Sequence, residues 1–334
     1  MAKRVLITGA TGFLGGAAAR SLRHAGWDVC TTGRNVRAGE ALALEGFRFE
    51  PLDLAGCGSK LHLLARNCDA IVHCAALSSP WGPKRAFDEA NVRATRNVLE
   101  ACRSGGARLV HLSTPSVSFG FTRNQDQRED AAWPMPPANH YIATKREAEN
   151  LVKQHEKVQS IILRPKAIIG PGDTSVLPRV MRAARRGYFP LFTRDEPLLD
   201  LTWIDDATEA IRLALEAPDS RCGQVYHITS GQPIPAAEAF ALLFEACGLE
   251  VRLVPVSAEA ALRIASLFEW SSRIATAGHW EPPLTRYSVG SLAFPQTLDI
   301  SAARRDLGYL PRKDIREALQ ECGHHWGKQN LNPA

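Results

Sequence analysis

Over the first 170 residues, short apolar or β-branched runs alternate with longer segments of helical periodicity, and few folds accept that alternation. The runs are Arg4–Thr8, Asp28–Thr32, Ala70–Cys74, Arg108–Ser113 and Ser160–Arg164. Strands that are apolar throughout are buried on both faces, which calls for a parallel α/β sheet with helices above and below it. Right-handed crossovers make such a sheet doubly wound, and its ligands bind beyond the carboxyl ends of the strands. After Arg164 the chain is irregular and richer in proline; Ala207–Leu215 then reads as a helix and Val225–Thr229 as a further buried strand. The expected division is a core over 1–170, rejoined by 203–230, and a smaller, mostly helical C-terminal substrate region over 171–202 and 231–334. Ala236–Cys247, Ala258–Ile274 and Ile315–His325 are the helical stretches of that region, and Trp280–Pro283 is a break.

Charge and cysteine usage exclude several classes. Forty basic and thirty-five acidic residues are mixed along the chain for a net charge of +5, with no basic block of the kind that binds nucleic acid. No apolar stretch approaches the roughly 20 residues that cross a bilayer. Lys3 and Arg4 precede an apolar run, but Gly9, Gly12, Gly15 and Gly16 interrupt it, so it reads as a strand and its turn rather than a leader. Eight cysteines without a CxxC pair suit a reducing, cytoplasmic setting. Ten histidines include no HxxxH or HExxH spacing, so no metal site is expected; His324 and His325 fall in a terminal helix.

Three segments carry candidate chemistry. Thr8-Gly9-Ala10-Thr11-Gly12-Phe13-Leu14-Gly15 follows the first strand and opens a helix. Its glycines permit a tight turn and close approach of backbone to a pyrophosphate, which the helix N-terminus favours; glycines at this spacing also make ordinary turns. The second strand ends Thr31-Thr32-Gly33-Arg34-Asn35, where a site selecting NAD places a carboxylate for the ribose hydroxyls. Arg34, with Arg37 one turn on, suits a 2′-phosphate and favours NADP(H), the alternative being a solvated arginine at a helix start. Tyr141-Ile142-Ala143-Thr144-Lys145 sets Tyr141 and Lys145 on one helix face. A tyrosine with an unperturbed pKa near 10 needs a neighbouring cation to exchange protons near neutrality, and Lys145 would supply it. Pro134, Pro136 and Pro137 put Tyr141 in the first helical turn, near the positive dipole end. An amphipathic helix with a part-exposed tyrosine and lysine is the plainer alternative.

In this order the segments resemble the extended short-chain dehydrogenase/reductases, whose glycine turn reads TGxxGxxG. The resemblance implies a dinucleotide-binding Rossmann core. It implies Thr114 of Leu112-Ser113-Thr114-Pro115-Ser116 as the hydroxyl that orients a carbonyl, with Ser113 or Ser116 as substitutes, beside catalytic Tyr141 and Lys145. For the cofactor it implies Gly9, Thr11, Gly12, Phe13, Leu14 and Gly15, together with Arg34. It adds Asp53 and Leu54 at the adenine, Ala75 in the loop His73-Cys74-Ala75-Ala76, and Pro165 in the loop that runs through Gly170-Pro171-Gly172-Asp173. Tyr141 and Lys145 also touch the cofactor in this family, and Asn91 matches a supporting helical asparagine. Trp203-Ile204-Asp205-Asp206, Gly223–Tyr226 and Ala303–Pro311 extend the likeness over nearly the whole chain.

Within that superfamily the chain looks most like the 3β-hydroxysteroid dehydrogenase branch, which includes bacterial reductases of long-chain 3-keto acids. The expectation is an NADP(H)-dependent oxidoreductase interconverting a ketone and a secondary alcohol on a small, mainly apolar keto or hydroxy substrate. A sugar-nucleotide epimerase and a non-catalytic NADP-binding sensor are the alternatives. Against a dehydratase, Pro115-Ser116 stand where an acidic pair is needed; against an epimerase, Arg164-Pro165-Lys166-Ala167 replaces an Arg-Tyr-Phe-Asn-like run. Asp205 and Asp206 read as residues that cap a helix and compensate its dipole rather than as a catalytic pair. Ala260, Leu262, Ile264, Leu267, Phe268, Trp270 and Ile274, then Trp280, Leu284, Tyr287, Leu292 and Phe294, are expected to wall an apolar pocket or to form a helix at a membrane surface. Peripheral membrane contact and a homodimer are both left open.

Overall fold

The computed structural model describes residues 2–193 and 197–330. Its centre is a seven-stranded parallel sheet of β1 (Arg4–Thr8), β2 (Asp28–Gly33), β3 (Arg48–Pro51), β4 (Ala70–His73), β5 (Arg108–Leu112), β6 (Ser160–Pro165) and β7 (Val225–Ile228). The order is β7-β6-β5-β4-β1-β2-β3, so the winding reverses between β1 and β4. Successive side chains of a strand point to opposite faces. Val5 and Ile7 accordingly meet Ala18, Ala19 and Leu22 of the helix Phe13–His24, and Ala210, Ile211 and Ala214 of Ile204–Glu216. On the other face Leu6 joins Leu61, Val98, Leu99 and Val152 from the helices Gly58–Ala65, Ala94–Gly105 and His140–Lys153. This is the doubly wound α/β fold that the alternation implies.

The helix His140–Lys153 is fixed to the sheet by a buried charge. Glu149, fully buried, accepts hydrogen bonds from Ser113 Oγ at 2.7 Å and Arg164 Nε at 3.1 Å, and Lys153 Nζ lies 2.8 Å away. Burial alone would raise the Glu149 carboxyl; Arg164 and Lys153 outweigh it and hold it down at about 2. Arg164 is itself fully buried and also reaches the Glu129 carbonyl at 2.9 Å.

Beyond the sheet, Tyr188–Thr193 and Arg252–Ser257 form a parallel pair, and the helices Ala236–Ala246 and Ile315–Asn330 pack together over Phe240, Leu243, Ile315 and Leu319. Ile300, Ala303, Leu307 and Tyr309 turn back into the core beside β1, and Tyr309 Oη donates to the Thr229 carbonyl at 3.0 Å. The helix Ala258–Thr276 buries small residues, Ala258, Ala261, Ala265 and Ser272. Its large ones face outward: Ile264, Leu267, Trp270 and Ile274 are 49 to 68% exposed. No described helix is long and apolar enough to cross a membrane. Asp205 and Asp206 lie in the first turn of Ile204–Glu216, where they complement its dipole as expected, but neither caps it: Asp205 accepts from Trp203 Nε1 at 3.1 Å and Asp206 from the Arg312 amide at 3.0 Å.

Removing one partner of a buried ion pair typically costs about 3–5 kcal/mol, because the other charge is left uncompensated. Arg164→Met is expected to lose that much unfolding free energy at pH 7 in urea titrations. Because the folded Glu149 carboxyl lies below its unfolded value of about 4.3, its stabilisation is complete above that pH and is lost as pH falls toward 2. The variant should lack that acid loss.

Candidate active site

The glycine turn is shaped by contacts that exclude side chains. Gly9 has φ +70°, and a Cβ there would lie 2.7 Å from Ala75 Cα; a Cβ on Gly15 would lie 2.3 Å from the Gly9 carbonyl oxygen. Gly12 starts the helix Phe13–His24 with no side-chain cap, and no acid occupies the first turn. That leaves amide donors free at a positive dipole end, which suits the pyrophosphate of a dinucleotide. Thr11 packs against Gly33, where an added Cβ would meet Thr11 Oγ1 at 2.5 Å, and so stands next to Arg34. Arg34 is exposed beyond the end of β2, and Asn35, not Arg34, caps the next helix by accepting from the Ala38 amide at 3.1 Å. Beyond β3, Asp53 is exposed and accepts from the Ala55 amide at 3.1 Å, while Leu54 is buried.

Thr114 and Tyr141 meet across the end of β5. Asn139 caps the helix His140–Lys153 by accepting from the Ile142 amide at 2.9 Å, which sets Tyr141 in the first turn. Burial pushes the Tyr141 phenol up, Tyr287 adds to the rise, and a hydrogen bond with the Thr114 side chain opposes it. Thr114 Oγ1 lies 3.1 Å from Ser116 Oγ, which is in turn 2.8 Å from Tyr287 Oη. Ser113 points away from this row, to Glu149. Lys145 is 3% exposed, and its ammonium donates to the Leu112 carbonyl at 2.6 Å rather than to Tyr141. Burial lowers it to about 8, with Glu149 and Cys74 resisting the shift.

A buried chain ties the two halves together. Thr8 Oγ1 and His73 Nδ1 are 2.8 Å apart, His73 Nε2 and Thr95 Oγ1 3.1 Å, and Thr95 Oγ1 donates to the Asn91 carbonyl at 2.6 Å. Thr95 therefore accepts a hydrogen bond from His73 Nε2–H and Thr8 donates one to Nδ1, which makes a neutral imidazole. Burial, with Lys145 assisting, lowers His73 to about 3. Asn91 sits in a π-helical turn, Asp88–Arg93, and bonds both the Leu77 backbone and Thr144 Oγ1, the latter at 3.0 Å.

One cavity of about 600 Å³ is lined by Gly9, Gly12, Phe13, Leu14, Gly15, Thr114, Tyr141, Lys145 and Pro165. Thr11, Arg34, Asp53, Leu54 and Ala75 lie outside that lining, along the carboxyl ends of the strands on the glycine-turn side. The far wall departs from expectation. Of the anticipated apolar residues only Tyr287, Leu292 and Phe294 line the cavity; its apolar wall also draws on Ile168, Ile169, Leu177, Val180, Leu198, Leu199, Phe240 and Leu243, and Asp173, Arg179, Asp200 and Gln296 add polar groups. The apolar residues are scattered over short strands and helices, and no local pattern marks them. Tyr287 is the polar residue that periodicity misread as part of an apolar stripe.

Residues 5–229 match the model of the NAD dependent epimerase/dehydratase family. The chain is 35% identical to a 2-alkyl-3-oxoalkanoate reductase of Stenotrophomonas maltophilia (strain K279a), over 95% of this chain and 97% of that protein. It is 29% identical to a 4-hydroxy-2-methyl-3-oxo-4-farnesyl-3,4-dihydroquinoline-1-oxide ketoreductase of Stigmatella aurantiaca, over 95% and 94%. Among solved structures it is similar in fold to a UDP-glucuronic acid 4-epimerase from Bacillus cereus in complex with NAD, with TM-score 0.76, 21% identity and coverage of 98% and 99%.

Lys145 makes the site costly to the empty fold. Its folded pKa lies below the unfolded value of about 10.4, so the folded state gains stability as pH rises from about 8 toward 10.4. Lys145→Met should raise unfolding free energy without cofactor at pH 7, by on the order of 2 kcal/mol. That advantage should shrink above pH 10 in denaturant titrations.

Proposed function

The chain belongs to the NAD dependent epimerase/dehydratase family, the extended short-chain dehydrogenase/reductases, and is a ketoreductase-type oxidoreductase; from that premise we propose that it reduces 3-oxo acids or related apolar ketones with NADPH. The observation that carries the reading is the row of hydroxyls from Tyr141 through Thr114 to Ser116, set in a cavity whose far wall is aliphatic and aromatic. A long hydrocarbon chain suits that wall. A sugar nucleotide needs paired cations for its diphosphate; besides Lys145, which donates to the Leu112 carbonyl, the cations lining the cavity are Arg179 and Lys166, and Lys166 is turned toward the Gln296 carbonyl.

NADPH, which Gly9, Gly12, Gly15 and Arg34 would hold, would supply the hydride. Thr114 turns its hydroxyl to the ketone oxygen and holds it beside Tyr141, and Tyr141 gives its phenolic proton to that oxygen as negative charge develops there. The resulting phenolate would be stabilised by the Lys145 ammonium, which lines the same cavity and would also hold the ribose. Burial makes Tyr141 a reluctant acid, and its hydrogen bond with the Thr114 side chain opposes that rise. Arg34 supports the preference for NADPH: it stands free at the end of β2, where its guanidinium can fork onto a 2′-phosphate. A non-catalytic sensor would need the glycine turn without this hydroxyl row.

Tyr141→Phe should bind NADPH as the parent does and lose turnover by about 10²–10⁴-fold, the usual share of a general acid. Near-parental NADPH oxidation with 3-oxo acids would remove Tyr141 from the mechanism. Turnover confined to UDP- or dTDP-sugars would replace the whole reading with epimerisation. Arg34→Ala should weaken NADPH by about 10- to 150-fold, the worth of a charged hydrogen bond, and NADH far less. Equal weakening in calorimetric titrations would contradict the phosphate contact.

A further inference from the structure

Ser116 and Tyr287 are not needed to protonate an alkoxide, yet both hydroxyls stand in the cavity next to the groups that do. Tyr287 lies on a short helix, Arg286–Ala293, whose start is fixed by a reciprocal cap between Thr285 and Ser288. Its ring packs edge-on against Phe119, with centroids 5.4 Å apart and planes at 85°. Gly290 lets this helix approach closely, since a Cβ there would meet the Phe121 ring at 2.8 Å. The Tyr287 hydroxyl is thus held rigidly by two independent contacts, 2.8 Å from Ser116 Oγ, and Ser116 Oγ is 3.1 Å from Thr114 Oγ1. Ser116 Oγ and Tyr287 Oη bond each other, and the apolar Phe119, Leu292 and Phe294 line the cavity with them. Arg179 lines the same cavity and places positive charge near Tyr287.

We propose that Ser116 and Tyr287 form a carboxylate subsite that reads the second oxygen function of a 3-oxo acid, an inference that rests on the ketoreductase reading above. With the ketone oxygen between Tyr141 and Thr114, the carboxylate of a 3-oxo acid lies one methylene further on. It therefore reaches the next hydroxyls in the row. Both hydroxyls donate to the carboxylate, and Arg179 balances its charge at the cavity wall. During reduction the ketone carbon gains the hydride, its oxygen gains the Tyr141 proton, and the carboxylate leaves as it came, on a 3-hydroxy acid. Hydrogen bonds that keep the negative charge on the carboxylate also oppose the flow of its electrons toward the ketone, and so protect a 3-oxo acid from losing carbon dioxide in the site.

The test compares 3-oxooctanoate with 2-heptanone, the same chain without its carboxylate, as substrates of the parent, Tyr287→Phe and Ser116→Ala, with thermal midpoints recorded for each. The parent should favour the acid, and each substitution should lower the ratio of kcat/KM for acid over ketone by about 10- to 100-fold, through KM, as expected for a lost charged hydrogen bond. A ratio unchanged in both variants overturns the subsite while leaving the ketoreductase reading intact. Calorimetry of 3-hydroxyoctanoate and 2-heptanol against the protein with NADP⁺ gives a readout independent of turnover. If the acid binds the parent no more tightly than the alcohol, the subsite is wrong whatever the enzyme reduces; if it binds more tightly and Tyr287→Phe erases the difference, the subsite stands even should turnover prove to lie elsewhere.

Discussion

The buried contact of Glu149 with Arg164 and Ser113 is the constraint on which the geometry of the candidate site depends. It joins the helix His140–Lys153 to β6 through Arg164 and to the end of β5 through Ser113, the residue before Thr114. Because Lys145 lies one turn before Glu149 and Tyr141 two turns before, the position of one carboxylate sets where the phenol and ammonium arrive relative to the threonine. A charge so deep is rarely the most stabilising choice for a core, since desolvation opposes it. Its use here is directional: two strands and a helix are held in one register at the point where the site is assembled.

A second, uncharged chain does the same for the nucleotide side. The run from Thr8 through His73, Thr95 and Asn91 to Thr144 carries position from the glycine turn to the catalytic helix without any formal charge. Neutral His73 serves this better than a protonated one would, because an imidazolium beside Lys145 would be both desolvated and repelled. The π-helical turn matters for the same reason. It offsets the Asn91 side chain so that one amide can serve the Leu77 backbone and Thr144 together.

What was legible in the amino-acid sequence follows from burial. Strands β1, β4, β5 and β6 are covered on both faces and appear as unbroken apolar runs, whereas β3 is an edge strand, Arg48–Pro51, half open to solvent and without such a run. The glycine turn was legible because local backbone geometry demands it, and Tyr141 and Lys145 because a spacing of four puts both on one helix face. The far wall was not, since Ile168, Leu198, Phe240 and Leu243 come together only through the tertiary fold. The stripe in Ala258–Thr276 identified a helix correctly, but its large side chains wall no pocket; of the two expected roles only the surface one accords with their exposure. Close packing there selects alanine and serine, and the bulky residues are left outside.

That inversion decouples the helix from its own large side chains. Ala261 and Ala265 leave little room for an added methylene, while Leu267, Trp270 and Ile274 touch the solvent and constrain nothing beneath them. Folding and colloidal behaviour are therefore written in different letters of the same segment. The exposed apolar strip lies outside the core, so the two properties can drift, or be engineered, one without the other.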